Sequence, residues 1–512
     1  MIFDRTFHPD EANQAFTTGK LLETGNYVYR PEDHHGPTLY YAAAVLQKAY
    51  GHGSTATLDG TLLRCTPLLF AVIALVFGFL ALRRIFSSKR PAGTDAIGAP
   101  KSSRALNTIA SICFVVLLGT SPIFAFFATD FIQEMLLACF TMMMFWAGTG
   151  YLFPGDKFKP GTWALLFGIA AGLAFATKET SVLAFAAIFA TFLILKALKG
   201  INAPKVLACR DAVMVVMGFL LTATLFYSSF CANWTGVCNA FIAAPLAYIH
   251  RATGSAASTG AAWHIHPWWQ YLKWLFFCDW RFSALPLLAI FLATFNRRSF
   301  LHVYTLAILA IYSLIPYKTP WCGLQLIVPM AIASFATNRF PQRWKILLPI
   351  ALIALAVNSW GLYHLNSNPD SKSIPYNYAS ASPEVKQLAA TVATALSSTH
   401  SPANSQLTTP TPANSQLTTH NSPTPNSPTP FLAVALPPAD TWPFPWYNRK
   451  LENRTGYWTD LEALRTLAES GAKPAVVIVP MEEGHLVQPI FPHLKNTKRF
   501  YMRPGVRVRV FW

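Results

Sequence analysis

The amino-acid sequence predicts a mainly α, polytopic helical membrane protein that ends in a small α/β domain. Of its 512 residues, 53% are hydrophobic and only 12% are charged, whereas about 25% of residues are charged in a soluble globular protein. Apolar runs of about 15 to 22 residues recur before residue 365, near the length that crosses a bilayer. After residue 364 the composition becomes that of a soluble domain.

The apolar runs predict a bundle of about ten transmembrane helices across residues 64–365. Several of them are short for a simple span, so their boundaries are loose. The runs lie near residues 64–82, 105–121, 131–152, 162–177, 181–197, 211–231, 282–296, 300–316, 322–337 and 346–363.

The loops between these runs alternate in charge. One set, near residues 83–104, 156–159, 196–211, 297–298 and 339–345, is rich in Lys and Arg and contains few acids. The positive-inside rule makes these loops cytoplasmic. We therefore predict a multi-pass plasma (inner) membrane protein whose first loop and C-terminal domain are extracytoplasmic. The net charge of +17 fits this topology, and we expect no nucleic-acid partner.

Two segments flank the predicted bundle. Residues 1–63 form an external loop with amphipathic helices, and residues 366–512 form the α/β domain. Residues 397–430 hold a direct repeat rich in Pro, Ser, Thr and Asn, which predicts a disordered insert. Such an external loop normally follows a membrane helix, and an in-frame apolar helix upstream of Met1 would complete the expected fold. The domain's predicted elements are helices at Ser382–Leu396 and Asp460–Ser470, strands at Phe431–Leu436 and Ala475–Val479, and an edge strand at Val506–Phe511.

The first external loop carries the densest polar chemistry in the chain. Asp10 and Glu11 are adjacent carboxylates that fit either catalysis or capping of a helix at Ala12–Glu23. His34 and His35 precede Gly36-Pro37 and fit either hydrogen-bonded structure or metal ligation. Asp10, His34 and His35 are accordingly the weak candidates for a metal site.

Further charged residues lie at the predicted external ends of the spans. Asp130 and Glu134 are four residues apart and would share one face of a helix. Arg64, Lys178-Glu179 and Lys318 interrupt or border apolar runs. Interface snorkelling explains the lysines, but charges at membrane depth are commonly functional. Cys231 and Cys238 flank Asn233-Trp234-Thr235 in a predicted external loop, where a disulfide is an open alternative to free thiols.

The order of these motifs resembles the GT-C membrane glycosyltransferases. The matching residues are Asp10-Glu11, His35-Gly36-Pro37, Arg64, Phe131-Ile132-Gln133-Glu134, Thr177-Lys178-Glu179-Thr180 and Tyr317-Lys318-Thr319-Pro320-Trp321. The likeness covers roughly residues 5 to 365 and is strongest to bacterial and archaeal relatives of the protein O-mannosyltransferases. Pro443-Phe444-Pro445-Trp446-Tyr447 is also similar to that family.

This resemblance implies an integral-membrane glycosyltransferase of the GT-C, hexosyltransferase type. Its partners would be a polyprenyl-phosphate sugar, membrane lipid and an extracytoplasmic acceptor that is a protein, lipid or glycan. Glycosyl transfer needs a carboxylate to accept a proton and cations or a metal to hold the departing phosphate. The resemblance establishes no cofactor, and a divalent metal is the one candidate cofactor that we consider.

The residues divide between these roles. Residues 1–63 become the catalytic loop, with Asp10 as the general base and Glu11 as its neighbour, and Glu134 takes the second acidic position. The phosphate-binding candidates are Arg64, His35, Lys178, Glu179 and Lys318. Two alternatives are a polyprenyl-lipid flippase or transporter and a noncatalytic partner of another glycosyltransferase. A transporter predicts inverted repeats, and we see no pairing of the two halves.

Overall fold

The computed structural model describes residues 2–31, 35–88, 101–153, 158–198, 208–252, 264–337, 342–398 and 430–512. Chain contacts divide the protein into two compact units. The bundle unit comprises Met1–Phe3, Lys20–Gly51 and Asp59–Tyr378, and the C-terminal unit comprises Asp4–Gly19, His52–Leu58 and Ala379–Trp512. The first predicted loop is therefore shared between the two units.

Helices α1 to α16 precede the C-terminal domain in sequence, and each of the ten predicted apolar runs overlaps one of them. They are α1 (Pro9–Thr24), α2 (Thr38–Ala49), α3 (Gly60–Ser88), α4 (Lys101–Gly119), α5 (Pro122–Phe127), α6 (Glu134–Leu152), α7 (Pro160–Phe175), α8 (Ser181–Ala197), α9 (Cys209–Tyr227), α10 (Thr235–Cys238), α11 (Ala244–Ala252), α12 (Gln270–Leu275), α13 (Leu285–Thr294), α14 (Phe300–Leu314), α15 (Leu324–Phe335) and α16 (Trp344–Ser367).

Four of the described helices are long and apolar enough to cross a membrane. These are α3, α6, α9 and α16. Among them α6 is the most central, since 72% of its most apolar window is buried within the protein, against 22% for α9 and α16. The first residue of this helix is Glu134, so the bundle carries a carboxylate at the end of the most buried of these four helices.

Helices α7 and α9 pack with their backbones in close approach. A Cβ added at Gly168 would lie 2.2 Å from the carbonyl oxygen of Val215, and one at Gly218 would lie 2.8 Å from that of Leu165. Both glycines therefore permit a contact that any larger residue would prevent. This contact fixes α7, whose C-terminal end leads into the turn at residues 176–180.

The C-terminal unit contains a five-stranded mixed sheet in the order β2-β1-β3-β5-β4. Its strands are β1 (Leu432–Ala435), β2 (Thr455–Trp458), β3 (Val476–Pro480), β4 (Thr497–Arg503) and β5 (Val506–Phe511). Strand β1 runs parallel to β2 and β3, whereas β5 runs antiparallel to β3 and β4. Helix α17 (Glu384–Ser398) covers one face of the sheet, and α19 (Leu461–Glu469), which follows the short α18 (Phe444–Asn448), covers the other.

The predicted helices and strands of this domain are confirmed, with one correction. Val506–Phe511 was expected to be an edge strand, but β5 lies inside the sheet between β3 and β4. Its alternating basic residues suggested an edge, yet the edge position belongs to β4. The sequence pattern did not predict β2 or β4.

Several predictions fall outside the described residues. These are His34, nearly all of the repeat insert, at residues 399–429, and parts of the basic loops, at residues 89–100, 154–157, 199–207 and 338–341. Cys231 and Cys238 are both described, and both are free and exposed. The side of the membrane on which each loop lies stays a prediction.

Candidate active site

The His35-Gly36-Pro37 turn is bound to the turn that follows α7. The Gly36 amide donates to the carbonyl of Thr177 at 3.1 Å, and the Thr38 amide donates to that of Ala176 at 3.2 Å. The hydroxyls of Thr38 and Thr177 are 2.7 Å apart. A Cβ at Gly36 would lie 2.2 Å from the Ala176 oxygen, so the motif requires glycine for this close approach. The two motifs therefore form one paired structure.

This pairing brings His35 against Glu179. Nδ1 of His35 lies 2.9 Å from Oε2 of Glu179, and the Tyr29 hydroxyl donates to Oε1 of Glu179 at 2.8 Å. Burial raises the pKa of Glu179, but the nearby His35 and the Tyr29 hydrogen bond outweigh burial and bring it to about 2. The carboxylate is therefore ionised and holds the imidazole through Nδ1. Among the described residues, none hydrogen-bonds Nε2 of His35.

A second charged pair lies beside the first. Nζ of Lys178 is hydrogen-bonded to Oε1 of Glu134, and both side chains are buried. Burial lowers the pKa of Lys178, but the Glu134 carboxylate more than compensates and raises it above its ordinary value. Oε2 of Glu134 is also buried, and no described residue hydrogen-bonds it. Because Glu134 starts α6, the positive end of the helix dipole also stabilises its charge.

Two glutamines link this pair to neighbouring segments. Gln325 donates to the backbone carbonyl of Glu134 at 3.2 Å, and Gln133 donates to the Tyr40 hydroxyl at 3.2 Å. Four segments that are distant in sequence, near residues 35–40, 133–134, 177–179 and 322–325, therefore meet in one polar cluster, which we call the loop cluster.

The expected pairing of Asp130 with Glu134 on one helical face is wrong. Helix α5 ends at Phe127 and α6 begins at Glu134, so Asp130 lies in the turn between them. The Ser121-Pro122 pair starts a short separate helix, which the apolar pattern alone did not reveal.

Arg64 and Lys318 each donate to a backbone carbonyl. Arg64 is fully buried in α3, and its Nη1 donates to the Phe3 carbonyl at 2.7 Å. Nζ of Lys318 donates to the carbonyl of Ile315, the residue that caps the C-terminus of α14, as a lysine at a helix end commonly does. Burial lowers the pKa of Lys318. Binding of a lipid phosphate by these two cations stays a prediction.

Asp10 and Glu11 lie in the C-terminal unit, in the first turn of α1. Glu11 is fully buried, accepts the His8 amide at 3.0 Å and lies 3.6 Å from Nη2 of Arg5. The Glu11 side chain thus accepts a hydrogen bond from the amide of the residue before the helix, as the glutamate of a capping box does. The Asp10 side chain is 49% exposed, with one carboxylate oxygen 3.8 Å from Nδ1 of His8. The capping interpretation therefore fits Glu11, and Asp10 has the accessible carboxylate.

The metal expectation stays a prediction. In the described ranges no group of three His, Cys, Asp or Glu residues is placed to hold a metal ion. Of the three weak candidates, His35 is held by Glu179, Asp10 lies beside His8, and His34 falls in a gap between those ranges.

Residues that the sequence did not single out also shape the loop cluster. Tyr29 and Gln325 each hydrogen-bond one of its acidic residues. Tyr27 and Tyr227 pack against Tyr29, and Tyr40 stacks on Tyr27. The sequence signal for these tyrosines was the enrichment of aromatic residues before the HGP turn. Aromatic residues near a membrane are more simply explained by their preference for the bilayer interface, so this signal does not indicate a site.

Solved structures resemble the chain over nearly its whole length. ArnT from Cupriavidus metallidurans, bound to undecaprenyl phosphate, is 13% identical with a TM-score of 0.59, and the match covers 99% of this chain and 94% of that one. The archaeal oligosaccharyltransferase AglB from Archaeoglobus fulgidus, in complex with an inhibitory peptide and a dolichol-phosphate, is 11% identical with a TM-score of 0.51. That match covers 93% of this chain and 66% of AglB.

The fold is GT-C-like. The expected architecture, a polytopic helical bundle with a small C-terminal α/β domain, is therefore confirmed, and the protein is a multi-pass membrane protein. No family model matches the sequence, and no curated protein matches it. At identities of 11% to 13%, the likeness shows the fold, and the closer relationship to protein O-mannosyltransferases stays a prediction.

Proposed function

We propose that this protein is an integral-membrane glycosyltransferase that moves a sugar from a polyprenyl-phosphate donor to an extracytoplasmic acceptor. The shared fold supports this, since one matching structure is bound to undecaprenyl phosphate and another to a dolichol-phosphate. The proposed sugar is a hexose, following the resemblance to protein O-mannosyltransferases. The proposed acceptor is a protein, a lipid or a glycan.

The observation that carries the proposal is the loop cluster. It holds two acid–base pairs, Lys178 with Glu134 and His35 with Glu179, and three of the four side chains are buried. Burying an ion pair gives little net stability, because desolvation offsets the attraction between the charges. Two adjacent pairs therefore favour a functional explanation over a structural one.

The cluster has groups suited to an anionic leaving group. Glu179 holds Nδ1 of His35, so Nε2 is left to donate to a phosphate oxygen when the ring is protonated. Lys178 adds a buried cation beside it. We assign these two residues to the lipid phosphate, with Glu134 orienting Lys178. Arg64 and Lys318 remain secondary candidates, each to be tested by substitution with Met.

The proposed reaction is a single displacement. An acceptor hydroxyl attacks the anomeric carbon, the bond from that carbon to the phosphate oxygen breaks, and the polyprenyl phosphate leaves with the bonding electron pair. The hydroxyl proton passes to Asp10, the accessible member of the Asp10-Glu11 pair. A phosphate leaving group is already a weak base, so no general acid is required. The displacement inverts the sugar's configuration.

The test is to incubate membranes that contain the protein with labelled polyprenyl-phosphate sugars and to identify what becomes labelled. Asp10→Asn should slow transfer by roughly 100-fold or more, because it removes the base, while membrane insertion stays intact. Glu469→Gln, on an exposed side chain of the C-terminal domain, is the matched control. Retained activity in Asp10→Asn would remove Asp10 from the mechanism.

The same preparation separates the alternatives. A flippase would translocate the lipid in vesicles without any acceptor. A noncatalytic partner would co-purify with another transferase and would be indifferent to Asp10→Asn. Loss of transfer on treatment with EDTA, restored by a divalent cation, would support the predicted metal.

A further inference from the structure

The segment that carries Asp10 is bound to the C-terminal domain on its N-terminal side. The Phe7 ring stacks on Trp446, with centroids 4.5 Å apart and planes 19° apart. The Phe7 amide donates to the Tyr447 hydroxyl at 2.8 Å. Phe7 and Trp446 are both buried. The chain is therefore fixed three residues before Asp10 by one stacked pair and one hydrogen bond.

The same segment is also held on the other side of Asp10. The Phe16 ring meets Trp442 edge-on, with centroids 5.4 Å apart. A Cβ added at Gly19 would lie 2.2 Å from Oγ1 of Thr55, so this end of the segment packs closely against residues 52–58. Near the start of the segment, the Asp4 carbonyl accepts a hydrogen bond from Lys386 of α17 at 2.6 Å.

Three of these contacts, from Trp442, Trp446 and Tyr447, are made by residues 442–449, which we call the docking segment. Phe444 is 1% exposed and belongs to the core beneath the sheet. The Arg449 guanidinium lies 3.9 Å from the Trp446 ring and donates to the Trp446 carbonyl at 2.8 Å and the Leu58 carbonyl at 3.0 Å. Asn448 donates to the Thr455 hydroxyl at 2.7 Å.

We propose that the docking segment positions Asp10, with Trp446 and Tyr447 as its positioning residues. This inference rests on the proposed function, in which Asp10 accepts the proton. A base must be held to within a fraction of an ångström of its productive geometry, and rigid supporting residues supply that. The C-terminal α/β domain is thus a working part of the transferase, and the Pro443-Phe444-Pro445-Trp446-Tyr447 motif has a specific task.

The test uses the purified full-length protein and two readouts. Tyr447→Phe removes only the hydroxyl that accepts the Phe7 amide, and Trp446→Ala removes the stacking ring. Hydrogen exchange at residues 4–19 should become about threefold to tenfold faster in Tyr447→Phe, as expected for one lost hydrogen bond. The turnover number, from release of polyprenyl phosphate, should fall on the order of tenfold with the donor KM unchanged.

Two further variants distinguish positioning from general stability. Trp446→Phe keeps an aromatic ring and should recover most of the turnover lost in Trp446→Ala. Tyr457→Phe removes another tyrosine hydroxyl from the same domain, on strand β2, and should change neither exchange at residues 4–19 nor turnover.

Three outcomes would overturn the inference or its basis. Unchanged exchange in both Tyr447→Phe and Trp446→Ala would show that the docking segment does not hold Asp10. Faster exchange with unchanged turnover would show that the docking segment holds residues 4–19 but does not position Asp10 for catalysis. If the unaltered protein releases no polyprenyl phosphate while exchange still responds to Tyr447→Phe, the docking is supported but the proposed function, and positioning with it, is overturned.

Discussion

The charge of Glu179 is set by its neighbours. Its pKa in the folded protein is about 2, below the ordinary value of 4.5, mainly because His35 and Tyr29 outweigh the effect of burial. The stabilisation is therefore complete above about pH 4.5 and is lost as the pH falls toward 2. Within that window the free energy of unfolding should fall by about 1.4 kcal/mol per pH unit.

Glu179→Gln should remove this acid-sensitive component. Thermal unfolding of the detergent-solubilised protein at pH 6, 4 and 3 measures it. At pH 6 the variant should have a lower melting temperature than the original protein, because the lost charged hydrogen bonds lower its free energy of unfolding by about 2 kcal/mol. Its melting temperature should then fall less steeply with decreasing pH than that of the original. Equal declines in the two proteins would show that Glu179 is not the group responsible.

Gly36 tests the pairing between the HGP turn and the turn after α7. In Gly36→Ala the added methyl would meet the rigid Ala176 backbone carbonyl at 2.2 Å. We expect a loss of about 1–3 kcal/mol in stability, typical of overpacking, together with loss of transfer. Gly53→Ala is the control, because a Cβ there meets nothing within 4 Å. A Gly36→Ala protein with the original melting temperature would contradict the pairing.

Much of the loop cluster could be predicted residue by residue, but its pairings could not. His35, Glu134, Lys178 and Glu179 were all candidates, since charges near membrane spans are rarely accidental. Which acid binds which base depends on contacts such as Tyr29 with Glu179, 150 residues apart in sequence. A cation at the end of a span also has the same sequence pattern whether it binds phosphate or contacts a helix end, as Lys318 does through the Ile315 carbonyl.

At the scale of elements, the contact between α7 and α9 is the clearest test of the bundle. Gly168→Ala would place a methyl 2.2 Å from the Val215 carbonyl oxygen, so the helices must separate. We expect a loss of about 1–3 kcal/mol in stability and reduced transfer, because α7 leads into the loop cluster. Gly148→Ala on α6 is the control, since its nearest neighbour would be 3.9 Å away. Equal melting temperatures for the two variants would disprove the close packing.

The sequence predicts long elements better than short ones for a physical reason. Each apolar run near bilayer length overlaps one described helix, because a chain in lipid must satisfy its backbone by forming helix. Strand β4 begins with Thr497, Lys498 and Arg499, all exposed, and so shows no apolar alternation. Strand β2 has only four residues. These strands are defined by their partners in the sheet, and a single sequence does not reveal those partners.

For the molecule as a whole, the division into two compact units was the least predictable feature. Residues 4–19 precede the bundle in sequence, yet they fold with the C-terminal domain. The hydrogen bond between Phe7 and Tyr447 joins residues 440 positions apart. No periodicity or change in composition in the sequence marks such a contact. The motif at residues 443–447, which is similar to the GT-C family, was the one sequence feature that indicated a role for this region.

The repeat insert supplies a prediction about the whole chain. Its composition of Pro, Ser, Thr and Asn predicts that residues 399–429, which lie outside the described residues, add no packed core. The residues that flank it are held together, because Arg454 donates from Nε to the Pro430 carbonyl at 2.9 Å and from Nη2 to the Leu396 carbonyl at 3.4 Å. A short connection can therefore replace the insert.

We expect a chain in which Gly-Ser-Gly-Ser replaces residues 399–429 to fold, to insert and to keep its transfer activity. Because closing a shorter loop costs less entropy, the C-terminal unit should gain about 1–2 kcal/mol, which thermal unfolding would register as an increase of a few degrees. Scrambling the insert at constant length is the control and should leave the melting temperature unchanged. A replacement chain that melts lower, or loses transfer while the scrambled chain keeps it, would show that the insert has a structural or functional part of its own.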